Sequence, residues 1–130
     1  MNRIRFFVVS GLAISLFLGT WCFAGEGHGK SAIFQMAEIM GRLKHYPSPQ
    51  GKRELQAIIS AASTTANERI IATAIMNLEH QPASQDIPQL EKVINDKAST
   101  QNERDIASIV LKLDHRPTVA DKNLLKTMMK

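Results

Sequence analysis

The sequence predicts an all-α protein, a short array of helical hairpins with a 35-residue period, arranged as an α-solenoid or as a compact bundle behind an N-terminal signal peptide. Thr65–Pro82 (TANERIIATAIMNLEHQP) returns 35 positions later as Thr100–Pro117 (TQNERDIASIVLKLDHRP). A fixed period of about 20–50 residues is typical of stacked supersecondary units. Apolar residues recur at helical spacing, and no stretch alternates apolar and polar residues as a strand would.

The N-terminus has the pattern of a secretory signal. Arg3 and Arg5 precede an apolar run from Phe6 to Leu18, and the small residues Cys22 and Ala24 follow. This order predicts export to the periplasm or the medium, with cleavage after Ala24. An uncleaved anchor is the main alternative, because residues 6–24 are just long enough to cross a bilayer.

Cleavage divides the chain into a signal peptide (1–24), a flexible mature N-terminus (25–30) and a helical repeat domain (31–130). Cys22 is the only cysteine, so the mature chain has no intramolecular disulfide. The formal charge falls from +4 to +2 when Arg3 and Arg5 leave. We therefore predict no nucleic-acid partner, and no stable membrane span once the signal is removed.

The apolar spacing predicts six helices, at residues 31–44, 49–62, 66–79, 86–97, 101–114 and 119–129. The first is an atypical end unit, as expected of a terminal repeat. Pro49 and Pro88 lie near the starts of the second and fourth helices, where a missing N–H costs little. The connections are short, which favours antiparallel neighbours.

Two helices open on a capping box. Thr65 and Glu68, and again Thr100 and Glu103, have the spacing at which the hydroxyl accepts from the third helical N–H and the glutamate accepts from the cap N–H. The period is similar in length to tetratricopeptide-like and Sel1-like repeats. The Trp, Leu-Gly, Tyr and Phe markers of the tetratricopeptide repeat are absent, so this likeness is one of architecture.

Three histidines recur in register, at His45, His80 and His115. Three imidazoles can hold zinc or copper, but helices in contact are about 8–10 Å apart. We therefore expect the three rings to be on the order of 10 Å apart, too far to share one ion. A C-terminal helix cap is the favoured role. We assign no metal site and keep these histidines as weaker candidates.

The most distinctive polar signature is Asn-Glu-Arg, which we interpret as a repeated structural element in preference to a ligand-reading stripe, because the capping box accounts for the glutamates. Its residues are Asn67, Glu68, Arg69, Asn102, Glu103 and Arg104. The five methionines Met36, Met40, Met76, Met128 and Met129 are interpreted as core residues in preference to copper(I) ligands.

The sequence predicts no catalytic residue, no cofactor site and no enzymatic activity. Residues 24–31 fit a loosened phosphate-loop pattern, but no buried strand and no βαβ unit accompany it. His28 would need trimming by one residue to chelate copper at the N-terminus. We expect a protein–protein interaction module of the cell envelope. A metal-binding or metal-sensing protein is the first alternative, and an accessory or inhibitor subunit of an envelope enzyme is the second.

Overall fold

The computed structural model describes residues 29–130, which form six α-helices and no strand. The all-α prediction is confirmed for this part of the chain. The signal peptide and positions 25–28, His28 among them, lie outside the described residues. The helices are α1 (Ala32–Gly41), α2 (Pro49–Ser60), α3 (Ala66–Met76), α4 (Ile87–Asn95), α5 (Gln101–Leu111) and α6 (Val119–Thr127).

Helices α3 and α5 begin where their predicted capping boxes place them. Thr65 and Thr100 accept from the N–H groups of Glu68 and Glu103, and both capping boxes are complete. A third box, between Thr118 and Asp121, opens α6. It was missed because it has aspartate where the predicted boxes have glutamate.

The helices end two or three residues before the predicted boundaries. The prediction extended α1, α3 and α5 past Leu43, Leu78 and Leu113, the last apolar residue of each series. In the structure these leucines are buried but follow the helix. Each donates its N–H three residues back, as Leu78 does to Ile75, which tightens the last turn. These leucines are therefore part of the hydrophobic core but not of the helices.

The hydrophobic core shows a simple numerical relation. Its buried apolar residues fall into seven sets of three, and the members of each set are 35 positions apart in the sequence. The sets are Met36/Ile71/Ile106, Ala37/Ala72/Ala107, Ile39/Ala74/Ile109, Met40/Ile75/Val110, Leu43/Leu78/Leu113, Leu55/Leu90/Leu125 and Ile58/Val93/Met128. Helices α1, α3 and α5, with the leucines that follow them, supply most of this core. Helices α2, α4 and α6, with Met128 just after α6, supply the remainder.

The first and last helices pack together. Helices α1, α3 and α5 contact one another, and α2 packs on α3 and α4 on α5. Helix α6 packs on α1, at the opposite end of the sequence. The first and last units of an open solenoid do not touch. Of the two predicted arrangements, the described residues therefore adopt the compact bundle, which brings the ends of α1, α3 and α5 together.

Candidate functional site at the histidine corners

Three equivalent turns follow α1, α3 and α5. Each begins at a C-cap residue (Arg42, Asn77 or Lys112), and its histidine lies three positions further on. We call the segments 42–48, 77–83 and 112–118 the histidine corners. A buried leucine anchors each corner to the core. The histidines themselves are exposed.

Main-chain hydrogen bonds join the corners in series. The His80 N–H donates to the His45 carbonyl at 2.9 Å, and the His115 N–H donates to the His80 carbonyl at 2.7 Å. His80 and His115 have φ angles of 71° and 62°. This left-handed conformation is uncommon outside glycine, although histidine adopts it more often than most residues. The two bonds hold the corners side by side.

The three imidazoles therefore lie in contact. Ring centroids are 5.0 Å apart for His45 and His80, 5.0 Å for His80 and His115, and 5.8 Å for His45 and His115. The expected separation of about 10 Å was wrong, because it took the spacing of packed helix axes. Directly hydrogen-bonded chain segments are instead about 4.7–4.9 Å apart, as in a sheet.

The predicted capping role of the histidines is also wrong. The C-cap residues are Arg42, Asn77 and Lys112, and the histidines lie beyond them. Among the described residues, the one imidazole hydrogen bond joins His115 Nδ1 to Asp114 Oδ1, at 2.7 Å.

Asp114 orients the His115 ring. Its pKa is lowered, first by the hydrogen bond with His115 and then by one with Gln81. An ionised carboxylate only accepts hydrogen bonds, so Nδ1 of His115 must carry the proton. In the neutral imidazole, Nε2 then has a free lone pair. Metal-binding histidines are oriented by carboxylates in this way.

The ring spacing can be compared with that of a three-histidine zinc site. Zinc–nitrogen bonds of about 2.0–2.1 Å place three imidazole centroids about 5 Å apart in tetrahedral geometry. With the side chains as they stand, no group of three His, Cys, Asp or Glu residues within 29–130 is placed to hold an ion. Shared coordination would therefore require the rings to turn, and exposed side chains change rotamer within nanoseconds.

An apolar pocket of about 470 Å³ opens beside the first corner. Ile39, Leu43 and Pro47 are buried residues that line it, and Arg42 and Lys44 contribute positive charge. Tyr46 also lines the pocket, with 61% of its surface exposed. An exposed aromatic ring at an apolar pocket is typical of a binding surface.

The Asn-Glu-Arg signature lies at the opposite ends of α3 and α5, where it forms a hydrogen-bond network. The Thr65 hydroxyl donates to Glu103 Oε1 at 2.9 Å, and the Thr100 N–H donates to Glu103 Oε2 at 2.7 Å. Glu103 is only 4% exposed. Asn67 Nδ2 donates to Ser99 Oγ at 3.0 Å. One glutamate thus joins the two capping boxes, a contact between units that spacing within one helix does not reveal.

The two arginines of the signature satisfy carbonyls at chain turns. Arg69 donates from Nε to Ile59 O at 3.2 Å and from Nη2 to Ala61 O at 2.9 Å. Arg104 donates to Ser99 O. Ala61 O also accepts from the Thr64 N–H at 3.3 Å, and Ser99 lies in the turn before α5. The arginines therefore tie their helices to the turns that precede them. The side chain of Asn102 is exposed at the surface of this network.

The methionines belong to the core. Met36, Met40 and Met128 are buried in it, and Met76 and Met129 pack against it. Their interpretation as core residues is confirmed.

Within residues 29–130, no helix combines the length and apolar character needed to cross a membrane. Comparison with protein-family models, with curated proteins and with solved structures found no match.

Proposed function

We propose that this chain is an exported, non-enzymatic protein of 35-residue helical hairpins that binds another protein of the cell envelope. The observation that carries the proposal is Tyr46, which is 61% exposed beside an apolar pocket. The seven sets of core residues at 35-residue spacing support the repeat. The pattern of residues 1–24 supports export.

The pocket favours one kind of occupant. Ile39, Leu43 and Pro47 offer an apolar lining, whereas Arg42 and Lys44 are the charged residues of the same pocket. No carboxylate lines it. We therefore propose a partner segment that inserts an apolar side chain and presents an acidic residue to these two cations.

Site-specific photo-crosslinking in the native host tests this surface. A photoreactive residue at position 46 should give one discrete adduct with an envelope protein. Position 97 is the control, because Lys97 is exposed near the start of α5, at the opposite end of the bundle. Equal adducts at both positions, or none at either, would contradict a binding surface at Tyr46.

The crosslinked partner then permits a quantitative test with purified proteins. Truncating an aromatic hot spot costs about 2 kcal/mol or more, so Tyr46→Ala should weaken binding at least about tenfold. Lys97→Ala should leave the affinity unchanged. Equal affinities for the Tyr46→Ala variant and the parent protein would place the interface elsewhere.

Export and cleavage have a separate test. The intact mass of the protein recovered outside the cytoplasm should correspond to a chain that begins at Gly25. A mass that includes residues 1–24 would contradict cleavage and favour the retained anchor.

The three neighbouring rings of His45, His80 and His115, which we call the histidine triangle, favour a second candidate function, the binding of zinc or copper. The carrying observation is the ring spacing of 5.0–5.8 Å, together with the Asp114 bond that leaves one His115 nitrogen free. The neighbouring corners hold all three rings at one surface. Turning of the exposed rings would complete the site.

Calorimetric titration of the mature protein with Zn²⁺ and Cu²⁺ tests the metal candidate. An ion that binds the native state should also raise the melting midpoint. His80→Ala should abolish both effects. His28→Ala is the matched control, because it removes a histidine from the N-terminal segment only. Retained binding in His80→Ala, with loss in His28→Ala, would assign the metal to the N-terminus.

A further inference from the structure

A second pocket, of about 640 Å³, lies on the other side of the first corner, between the end of α1 and the start of α6. The last corner and α6 contribute His115, Arg116 and Lys122. The first corner contributes the residues 41–45. Since α6 packs on α1, this pocket exists only where the two ends of the described chain meet.

The lining of this pocket is strongly cationic. Its basic side chains are Arg42, Lys44, Arg116 and Lys122. This pocket thus has four basic side chains, and the formal net charge of the entire chain is +4. Two imidazoles also line the pocket, and no carboxylate does. Positive charges concentrated in a concave surface attract anions.

Few internal partners neutralise these cations. Within residues 29–130, Lys44, Arg116 and Lys122 have no carboxylate within ion-pair distance. Arg42 reaches Glu38 only at 3.9 Å and Glu54 only at 3.8 Å. Folding therefore gathers four cations, of which only Arg42 has ion-pair partners among the described residues.

Asp114 and Asp121, the acidic residues that neighbour Arg116 and Lys122 in the sequence, are engaged in other hydrogen bonds. The Asp114 carboxylate is hydrogen-bonded to His115 Nδ1 at 2.7 Å. The Asp121 carboxylate accepts from the N–H and the hydroxyl of Thr118 as the cap of α6. Neither is free to turn toward the lysines without breaking these bonds. A bound anion can therefore meet cations that the described residues leave without a carboxylate partner.

We propose that this pocket binds a multiply charged phosphate anion. Arg42 and Arg116 approach from two separate corners, and a guanidinium can bond two phosphate oxygens at once. Lys44 and Lys122 act as point charges on the same groups. A compact anion with two phosphate groups, such as pyrophosphate, matches four cations and fits the volume. The proposal requires neither the Tyr46 partner nor a metal, although Arg42 and Lys44 also line the pocket beside Tyr46.

Titration with pyrophosphate at low ionic strength, with sodium chloride at matched ionic strength as the reference, tests the pocket. We expect saturable binding and a raised melting midpoint. Lys122→Gln should weaken binding about tenfold. The control is Lys126→Gln, because Lys126 is exposed on the same helix but outside the pocket. Arg116→Gln and Lys44→Gln should each act like Lys122→Gln, which guards against a folding defect in one variant.

A lipid headgroup carries the same phosphate chemistry, so a second arm uses vesicles. Vesicles of phosphatidylglycerol and phosphatidylcholine are compared with vesicles of phosphatidylcholine alone. Pyrophosphate binding without vesicle binding identifies a free anion as the source. Vesicle binding that Lys122→Gln abolishes identifies a headgroup. No binding in either arm, or equal weakening by Lys122→Gln and Lys126→Gln, would overturn the proposal.

His80→Ala separates this pocket from the metal candidate. His80 belongs to the histidine triangle but does not line the cationic pocket. The variant should therefore keep pyrophosphate binding, even if it loses a metal. Loss of pyrophosphate binding in His80→Ala would show that the anion does not occupy this pocket.

Discussion

A repeated polar signature lies at each end of α3 and α5. The two signatures differ in burial and in hydrogen bonding. At the start of the helices, Glu103 is buried and accepts hydrogen bonds from both capping boxes. Beyond the ends of α1, α3 and α5, the rings of His45, His80 and His115 are exposed and in mutual contact. Their one side-chain hydrogen bond among the described residues is that of His115 to Asp114.

The difference shows that repetition alone does not tell a structural residue from a binding one. The glutamate signature uses its hydrogen-bonding capacity inside the fold, so its loss should destabilise the protein. The histidine signature keeps most of that capacity at the surface, where a ligand can use it. Substitutions in the glutamate signature should therefore change the stability, and substitutions in the histidine signature should change ligand binding.

The largest expected effect is at Glu103. Glu103→Ala removes a buried carboxylate with two hydrogen bonds and should lower the free energy of unfolding by about 2–3 kcal/mol. Glu68→Ala is the matched variant, because Glu68 has the same capping position in α3 but is only half-buried. It should cost about 1 kcal/mol without abolishing any binding. Urea unfolding measures both.

Equal losses for the two glutamates would contradict the contact between units, because they would leave only the local cap in each helix. An unchanged melting point in Glu68→Ala would contradict the structural interpretation of that capping box.

Glycine substitutions at the three histidines should change the stability less than Glu103→Ala does, and they should not all destabilise the protein. His80 and His115 have positive φ angles and His45 does not. Glycine removes a left-handed cost of about 1–2 kcal/mol but adds unfolded-state entropy worth about 0.5–1 kcal/mol. His80→Gly and His115→Gly should therefore be neutral or stabilising. His45→Gly should destabilise by about 0.5–1 kcal/mol, and thermal melting separates them. The same loss in all three would show that the backbone is not strained.

The smallest expected effect is acid dependence at Asp114. Its pKa is lowered from a usual value of 3.8, mainly by its hydrogen bond with His115. A carboxyl with a lowered folded-state pKa stabilises the fold above its unfolded pKa and loses that contribution as pH falls through the folded value. The gap in melting point between the parent protein and Asp114→Asn should therefore narrow as the pH falls from 3.8 through the lower folded-state pKa. A gap that persists at pH 2 would exclude the carboxylate as its source.

The sequence predicted the features that depend on neighbouring residues. Both capping boxes follow from residues three apart, and the apolar faces follow from helical spacing. It did not predict how the units meet. The bond from His80 to His45 joins residues 35 positions apart, and it brings the corners closer than packed helices can lie. The Thr65–Glu103 contact was missed for the same reason.

The packing of α6 on α1 means that the order of the helices in the chain can be changed without changing their contacts. A circular permutant could begin at Thr118, run through α6 into α1 by a new loop, and finish at Pro117. Each of α2, α4 and α6 would then directly precede the helix on which it packs. The termini of this permutant would lie in the last corner and no longer at the contact between α6 and α1. The permutant would therefore open the cationic pocket by an independent route while keeping all six helices.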